Sequence, residues 1–286
     1  MLVYLNGSFV PEEAARVSAL DQGLLAGIGA FETLRAYGGR FFRLSAHLDR
    51  LAATLRWLGI FTPVAALGEA ASTLLGRQRI LEARVRITVT AGGEPRPTDG
   101  KGHPTVLVTA GPLNAPPPRA YLEGIAAIRC ELPHGLGGGA GHKVTSYLGW
   151  TLARRAALEA GAGEALLVTG GGELVEGAHS NLFVVVDGEV LTPPLSTGAL
   201  PGVTRAAILG LLKSEGLPWG ERRIHWVDIE RAREIFVTSS IVEVLPVTAL
   251  GGARVGDGAP GGLTRRLAAA YRALVTQEIE SSRAGA

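Results

Sequence analysis

The sequence predicts an α+β fold of two domains. Strand and helix patterns mix without the regular βαβ rhythm of a parallel sheet. The 286 residues suit one large domain or two small ones. The texture breaks once, at 111–120, where Gly111-Pro112 and Pro116-Pro117-Pro118 favour extended, non-helical backbone. The expected organisation is a smaller N-terminal domain over 1–112, a proline-rich linker over 113–120 and a larger C-terminal domain over 121–286.

The N-terminal half opens with segments 2–5 and 8–10 around Asn6-Gly7, a hairpin signal because both turn residues tolerate positive φ. Residues 30–37 alternate Phe31, Thr33, Arg35, Tyr37 against Ala30, Glu32, Leu34, Ala36, and Gly38-Gly39 then turns the chain into 40–44. Ser45 is the expected N-cap of a helix whose face is Leu48, Leu51, Leu55 and Leu58 and which stops at Gly59. A second helix fits 63–76, and strands fit 83–90 and 104–110.

The C-terminal half predicts a strand at 124–130, a glycine-rich loop at 135–141, and a helix near 146–160 ending at Gly161. Strands follow at 164–169 and 181–192, the second bent at Asp187-Gly188. The segment from Leu174 to Phe183 reads as a tight turn between strands, with Glu176 in the turn. A helix at 203–215, strands near 222–226 and 234–247, and an amphipathic helix at 262–280 complete the chain.

Composition narrows the function. Apolar residues make up 47% of the chain, too many for disorder, and a formal net charge of +2 gives no long-range field to draw nucleic acid or acidic membranes. The longest uncharged runs, 104–118 and 190–204, are too short and too broken by proline to span a bilayer. A single cysteine, Cys130, cannot close an intrachain disulfide. A soluble cytoplasmic protein is expected, with no nucleic-acid or membrane partner.

Several motifs fall short. Before Lys143, His142 occupies the place where a phosphate-binding P-loop needs glycine, and Val144 stands where it needs Ser or Thr. Gly177-Ala178-His179-Ser180 lacks the spacing of a nucleophile elbow, and the six histidines form no metal-binding pattern. Of 28 basic residues only Lys101, Lys143 and Lys213 carry a titratable amine. Lys101 lies in a polar turn, and Lys213 suits a helix C-terminus. Lys143 sits between a glycine loop and a helix, near Tyr147, where a lysine can serve as Schiff-base nucleophile or general base.

Three further segments point the same way. Gly198 to Arg205 leads into a helix start, whose N–H groups and dipole favour phosphate. Thr238-Ser239-Ser240 ends a strand with hydroxyls, and Glu176 supplies a carboxylate that could hold a pyridinium. Together with Lys143 these groups suit pyridoxal 5′-phosphate (PLP).

In this order the motifs resemble the class IV aminotransferases, the fold-type IV PLP enzymes related to D-amino acid aminotransferase. The matching blocks are Asp21-Gln22-Gly23, Phe31-Glu32-Thr33-Leu34-Arg35, His47-Leu48-Asp49-Arg50-Leu51, Lys143, Glu176-Gly177, Ser180-Asn181, Gly202-Val203-Thr204-Arg205 and Glu243-Val244-Leu245-Pro246-Val247. The resemblance implies PLP between two domains, a homodimer with the active site near the subunit interface, and a small amino substrate. It further implies that Lys143 bonds the cofactor and moves the Cα proton, and that Glu176 binds the pyridine nitrogen. Arg50, Val203, Thr204, Ser239 and Ser240 are implied to hold the phosphate, while Phe31, Arg96 and Tyr147 are candidate substrate contacts.

The run from Gly141 to Leu148 is similar to the lyase branch, which releases 4-aminobenzoate and pyruvate from 4-amino-4-deoxychorismate, a folate precursor step. The alternative is an amino-acid or amine transaminase of branched-chain or D-amino acid type, towards which Glu243 leans. A PLP-free binding protein is the remaining alternative.

Overall fold

The structure, a computed structural model, describes residues 1–93, 103–131 and 139–284. It divides into two compact units: Met1–Asn114 with His142–Ser146 and Glu278–Ala286, and Ala115–Gly141 with Tyr147–Gln277. Chain order alone assigns Lys143 to the C-terminal domain, but the segment around it packs with the first unit. The reason is local: Val144 bridges Ala30, the Phe31 amide donates to the Lys143 carbonyl at 2.9 Å, and the Thr145 amide donates to the Gly29 carbonyl at 2.8 Å.

The first unit is built on a six-stranded sheet among the described residues. Its strands are β1 (Leu2–Leu5), β2 (Ser8–Pro11), β3 (Gly29–Tyr37), β4 (Arg40–Phe41), β5 (Ala83–Thr90) and β6 (Thr105–Pro112), in the order β2-β1-β6-β5-β3-β4. The Asn6-Gly7 turn has φ of 46° and 95°, the left-handed pair that a two-residue hairpin turn requires. α1 (Gln22–Ala26) is a single short turn, capped by the Asp21 side chain.

One sheet face is apolar because alternate residues point the same way. Ala30, Leu34, Val85, Ile87, Val89 and Val108 meet Leu51 and Leu55 of α2 (Leu44–Trp57) and Leu67, Ala71 and Leu74 of α3 (Val64–Gln78). Each buried leucine contributes about 1.5–3 kcal/mol. Ser45 is not the N-cap of α2. Arg43 holds that position in the left-handed region at φ 51°, with its guanidinium paired to Glu278 at 2.9 Å.

The second unit carries a nine-stranded sheet among the described residues. Its strands are β7 (Ile125–Glu131), β8 (Glu164–Val168), β9 (Leu174–Gly177), β10 (Asn181–Val186), β11 (Glu189–Thr192), β12 (Trp219–Glu221), β13 (Glu234–Ser239), β14 (Glu243–Leu250) and β15 (Ala253–Arg254). The order is β9-β8-β7-β14-β13-β10-β11-β12, with β15 on β14. Its helices are α4 (Pro118–Glu123), α5 (Leu148–Glu159), α6 (Val203–Ser214), α7 (Trp226–Ile229) and α8 (Gly262–Ala284).

Four sequence expectations change here. The proline run does not stay extended throughout, since α4 begins at Pro118, whose missing N–H costs nothing at the first helical position. Glu176 lies in strand β9 rather than in a turn; the turn comes later, closed by the Gly177 amide on the Ser180 carbonyl at 2.7 Å. Residues 222–226 give no strand: β12 precedes them, and Trp226 starts α7 with a capping box between His225 and Asp228. The expected strand over 234–247 is two antiparallel strands, β13 and β14, broken where Glu243 adopts φ 57°.

Candidate active site

In the first unit the site grows from one charged residue in an apolar stripe. Glu32 lies on the core face of β3, fully buried, opposite Ile87 of β5. A carboxylate there requires partners, and α2 supplies them. Arg50 donates through Nε to Glu32 Oε1 and through a terminal nitrogen to Oε2, both at 2.7 Å, and His47 Nδ1 lies 2.9 Å from Oε2. Because the carboxylate only accepts, the His47 proton sits on Nδ1.

Burial raises the Glu32 carboxyl, but the charge and hydrogen bonds of Arg50, with those of His47, outweigh it and lower it from 4.5 to about 2. Burial also pushes the His47 imidazole below its usual value against the pull of Glu32, and the charges of Arg50 and Lys143 add to the fall.

Lys143 is held by its backbone against β3, and its Nζ lies 4.8 Å from the Phe31 ring centroid. The Arg86 guanidinium lies 3.7 Å from the same centroid. Phe31 thus carries two cations on its ring, a lysine and an arginine. Arg86, on strand β5, did not figure among the sequence candidates. Arg96, like Lys101, lies outside the described residues.

In the second unit Glu176 is buried and oriented at both oxygens. Oε1 accepts from Trp150 Nε1 at 3.3 Å; Oε2 accepts from the Leu200 amide at 2.9 Å and from Asn181 Nδ2 at 3.5 Å. Tyr147 braces this arrangement: its ring stacks on Trp150 with centroids 5.1 Å apart and planes 7° apart, and its hydroxyl donates to the Ala178 carbonyl at 2.9 Å. A carboxylate gripped by N–H donors suits a protonated ring nitrogen.

α6 begins at Val203 and Thr204, both buried, and its N-cap, Gly202, provides no side-chain cap. The amides and dipole of that first turn suit an anion. A Cβ at Gly202 would collide with Asn181 Oδ1, so glycine is needed for close approach. Asn181 Nδ2 also donates to the Leu200 carbonyl at 2.8 Å. α6 packs against β13, which ends at Ser239. Ser239 Oγ accepts from the Val242 amide at 3.3 Å, and Ser240 follows in the same connection. Thr238 Oγ1 is buried without a hydrogen-bond partner among the described residues.

Each sequence candidate among the described residues therefore falls in one of two groups. Lys143, Arg50 and Phe31 belong to the first unit; Glu176, Val203, Thr204, Ser239, Ser240 and Tyr147 belong to the second. Sequence reasoning missed Glu32, His47, Trp150, Asn181 and Arg86 as site residues. Glu32 had a signal, a lone carboxylate in an apolar stripe, and so did His47, three residues before Arg50 on a helix.

Comparison with known proteins follows the same lines. The class IV amino-transferase family profile matches residues 29–250. A Methanocaldococcus jannaschii protein with a provisional branched-chain-amino-acid aminotransferase name is 34% identical over 97% of both chains. The D-alanine aminotransferase of Staphylococcus haemolyticus is 31% identical over 93% of this chain and 94% of its own. Among solved structures, the branched-chain amino acid aminotransferase of Escherichia coli superposes with a TM-score of 0.89 at 28% identity, covering 96% of this chain and 94% of its own. A T.th. branched-chain amino acid aminotransferase, solved with pyridoxamine 5′-phosphate, gives 0.88 at 29% over the same shares. The fold is that of the fold-type IV enzymes, and the chain belongs to the class IV aminotransferase family of PLP-dependent enzymes.

Proposed function

We propose that this enzyme is an amino-acid transaminase of branched-chain or D-alanine type. The observation that carries the reading is the pair of cations on Phe31. Lys143 would bond the cofactor, which leaves Arg86, beside the same ring, as the cation for an amino acid's carboxylate. The relatives' names weigh the same way, ahead of the lyase reading with its folate precursor step. Family membership removes the PLP-free alternative.

The donor set fits PLP: a lysine beside an aromatic ring, a carboxylate held by three N–H groups, and a helix start without a side-chain cap. Lys143 would hold the cofactor covalently, and Glu176 would hold its ring nitrogen. Arg50, Val203, Thr204, Ser239 and Ser240 would hold the phosphate. When bound, PLP supplies an electron-withdrawing ring that lowers the cost of breaking the substrate Cα–H bond.

The protein's own work is proton transfer and orientation. Lys143 Nζ takes the proton from the substrate Cα. Arg86, and Arg96 as the sequence suggests, would bind the substrate carboxylate; Phe31 walls the pocket, and Tyr147 acts through Trp150 on Glu176. A homodimer is part of the proposal, supported by the exposed Leu24, Leu25 and Leu148; sedimentation of the purified protein tests it. Among the described residues no helix is long and apolar enough to cross a membrane, and a cytoplasmic location is proposed.

The deciding experiment incubates the enzyme with L-branched-chain amino acids or D-alanine plus a 2-oxo acid, in parallel with 4-amino-4-deoxychorismate. Transaminated product supports the proposal. Release of 4-aminobenzoate without transamination would restore the lyase reading.

A further inference from the structure

One face of α2 carries four residues in a row of helical spacing, His47, Arg50, Thr54 and Trp57. The first two hold Glu32. The second two hold His142, the residue directly before Lys143. The His142 and Trp57 rings stack with centroids 4.4 Å apart and planes 13° apart, and His142 Nδ1 lies 3.4 Å from Thr54 Oγ1. Thr54 is buried, while Trp57 is half exposed. A tryptophan at such a helix end costs apolar exposure, which the stack on His142 reduces.

The other side of Lys143 is fixed by different means. Its carbonyl accepts from Phe31, Val144 bridges Ala30, and the Thr145 and Ser146 hydroxyls both donate to the Gly27 carbonyl, at 2.7 and 2.9 Å. Downstream, Lys143 is thus pinned to strand β3 and the chain before it. Upstream, the ring contact and the hydrogen bond of His142 pin it to α2. Without them the backbone ahead of Lys143 would keep only the bond from the Gly141 amide to the Gly198 carbonyl, at 2.9 Å, and Nζ, at the end of four methylenes, would sweep a wider arc.

We infer that His142 is a positioning residue, stacked on Trp57 to fix the backbone from which Lys143 presents its amine. The stack carries the effect, and the Thr54 contact orients the ring. His142 touches no reacting atom in this scheme; it acts through the backbone of Lys143. The inference rests on the reading of Lys143 as the residue that bonds PLP.

The test uses cofactor-depleted enzyme and four chains: wild type, His142→Asn, His142→Phe and Trp57→Ala. PLP is added, samples are quenched with borohydride over time, and the cofactor fixed on the Lys143 peptide is counted by mass. The rate of fixation should fall about three- to tenfold in His142→Asn and Trp57→Ala, the span that aromatic pair energies correspond to. His142→Phe, which keeps a stack and loses the hydrogen bond, should recover most of the rate. The final yield should stay near one cofactor per chain in all four. Tryptophan emission gives an independent reading: Trp57 should brighten in His142→Asn, where no imidazole quenches it, while urea midpoints verify that each chain is folded.

Equal fixation rates in folded wild type and His142→Asn would overturn the inference, as would a His142→Phe chain no faster than His142→Asn. Cofactor fixed on another lysine of the wild type would instead overturn the reading of Lys143 and take the inference with it. The labelled peptide tells the two failures apart.

Discussion

Arg50 grips the buried carboxylate of Glu32 through two hydrogen bonds of 2.7 Å, one to each oxygen. The bidentate geometry fixes the guanidinium plane against strand β3, so in the proposed role Arg50 would meet the phosphate already oriented. Breaking a buried pair from one side is costlier than never having it, because the other charge stays behind. Arg50→Ala should therefore destabilise the chain by about 3–5 kcal/mol as well as weaken PLP. Urea unfolding of the cofactor-depleted protein checks the first effect separately; an unchanged midpoint would show that Glu32 finds other partners.

The same pair gives an acid signature. The Glu32 carboxyl is held at about 2 in the folded chain against an ordinary 4.5. A depressed carboxyl stabilises the fold fully above its unfolded value and loses that contribution as pH falls towards the folded one. Stability should thus fall between pH ~4.5 and ~2 by on the order of 3 kcal/mol from this group. In Glu32→Gln that part of the slope should vanish. Parallel urea titrations of the two chains at several acidic pH values measure it.

Lys143→Ala should lose all borohydride-fixed cofactor and essentially all turnover, since the guanidinium groups nearby cannot form an imine. Lys213, at the end of α6, should be dispensable, and Lys213→Ala should turn over normally. A labelled peptide containing Lys213 would refute the assignment.

Glu176→Gln keeps the size and an acceptor oxygen for the Leu200 amide and Asn181, gives up the weaker contact with Trp150, and removes the charge proposed to sit beside the ring nitrogen. PLP should still bind, and the loss should fall mainly on kcat, because the charge matters more in the transition state than in the ground state. A wild-type rate with an unchanged cofactor spectrum would reduce Glu176 to a structural role. Steady-state kinetics and absorbance between about 330 and 420 nm together decide.

Gly202→Ala tests the approach of Asn181 to the start of α6. The added Cβ meets Asn181 Oδ1, so Asn181 must move, and it holds both Glu176 and the Leu200 carbonyl. PLP affinity should fall about tenfold or more, as for a lost charge-assisted contact. Equilibrium dialysis of PLP measures it, and affinity equal to wild type would mean that the loop absorbs the clash.

By itself the sequence determined the elements whose signals are local. The Asn6-Gly7 hairpin, the alternation of β3, and the helix stop at Gly59 follow from turn chemistry and periodicity. The order of Lys143, Glu176 and Gly202-Val203-Thr204-Arg205 was enough to suggest the family. Tertiary structure decided the rest, because those features depend on partners far along the chain. Glu176 is a strand residue because β9 pairs with β8, not because of its neighbours in sequence. Glu32 is tolerable inside the core only once α2 brings His47 and Arg50 to it, 15 and 18 residues later. Lys143 joins the first unit because the Phe31 amide bonds its carbonyl and the Gly29 carbonyl takes the amide of Thr145, and no local propensity encodes a bridge across more than a hundred residues.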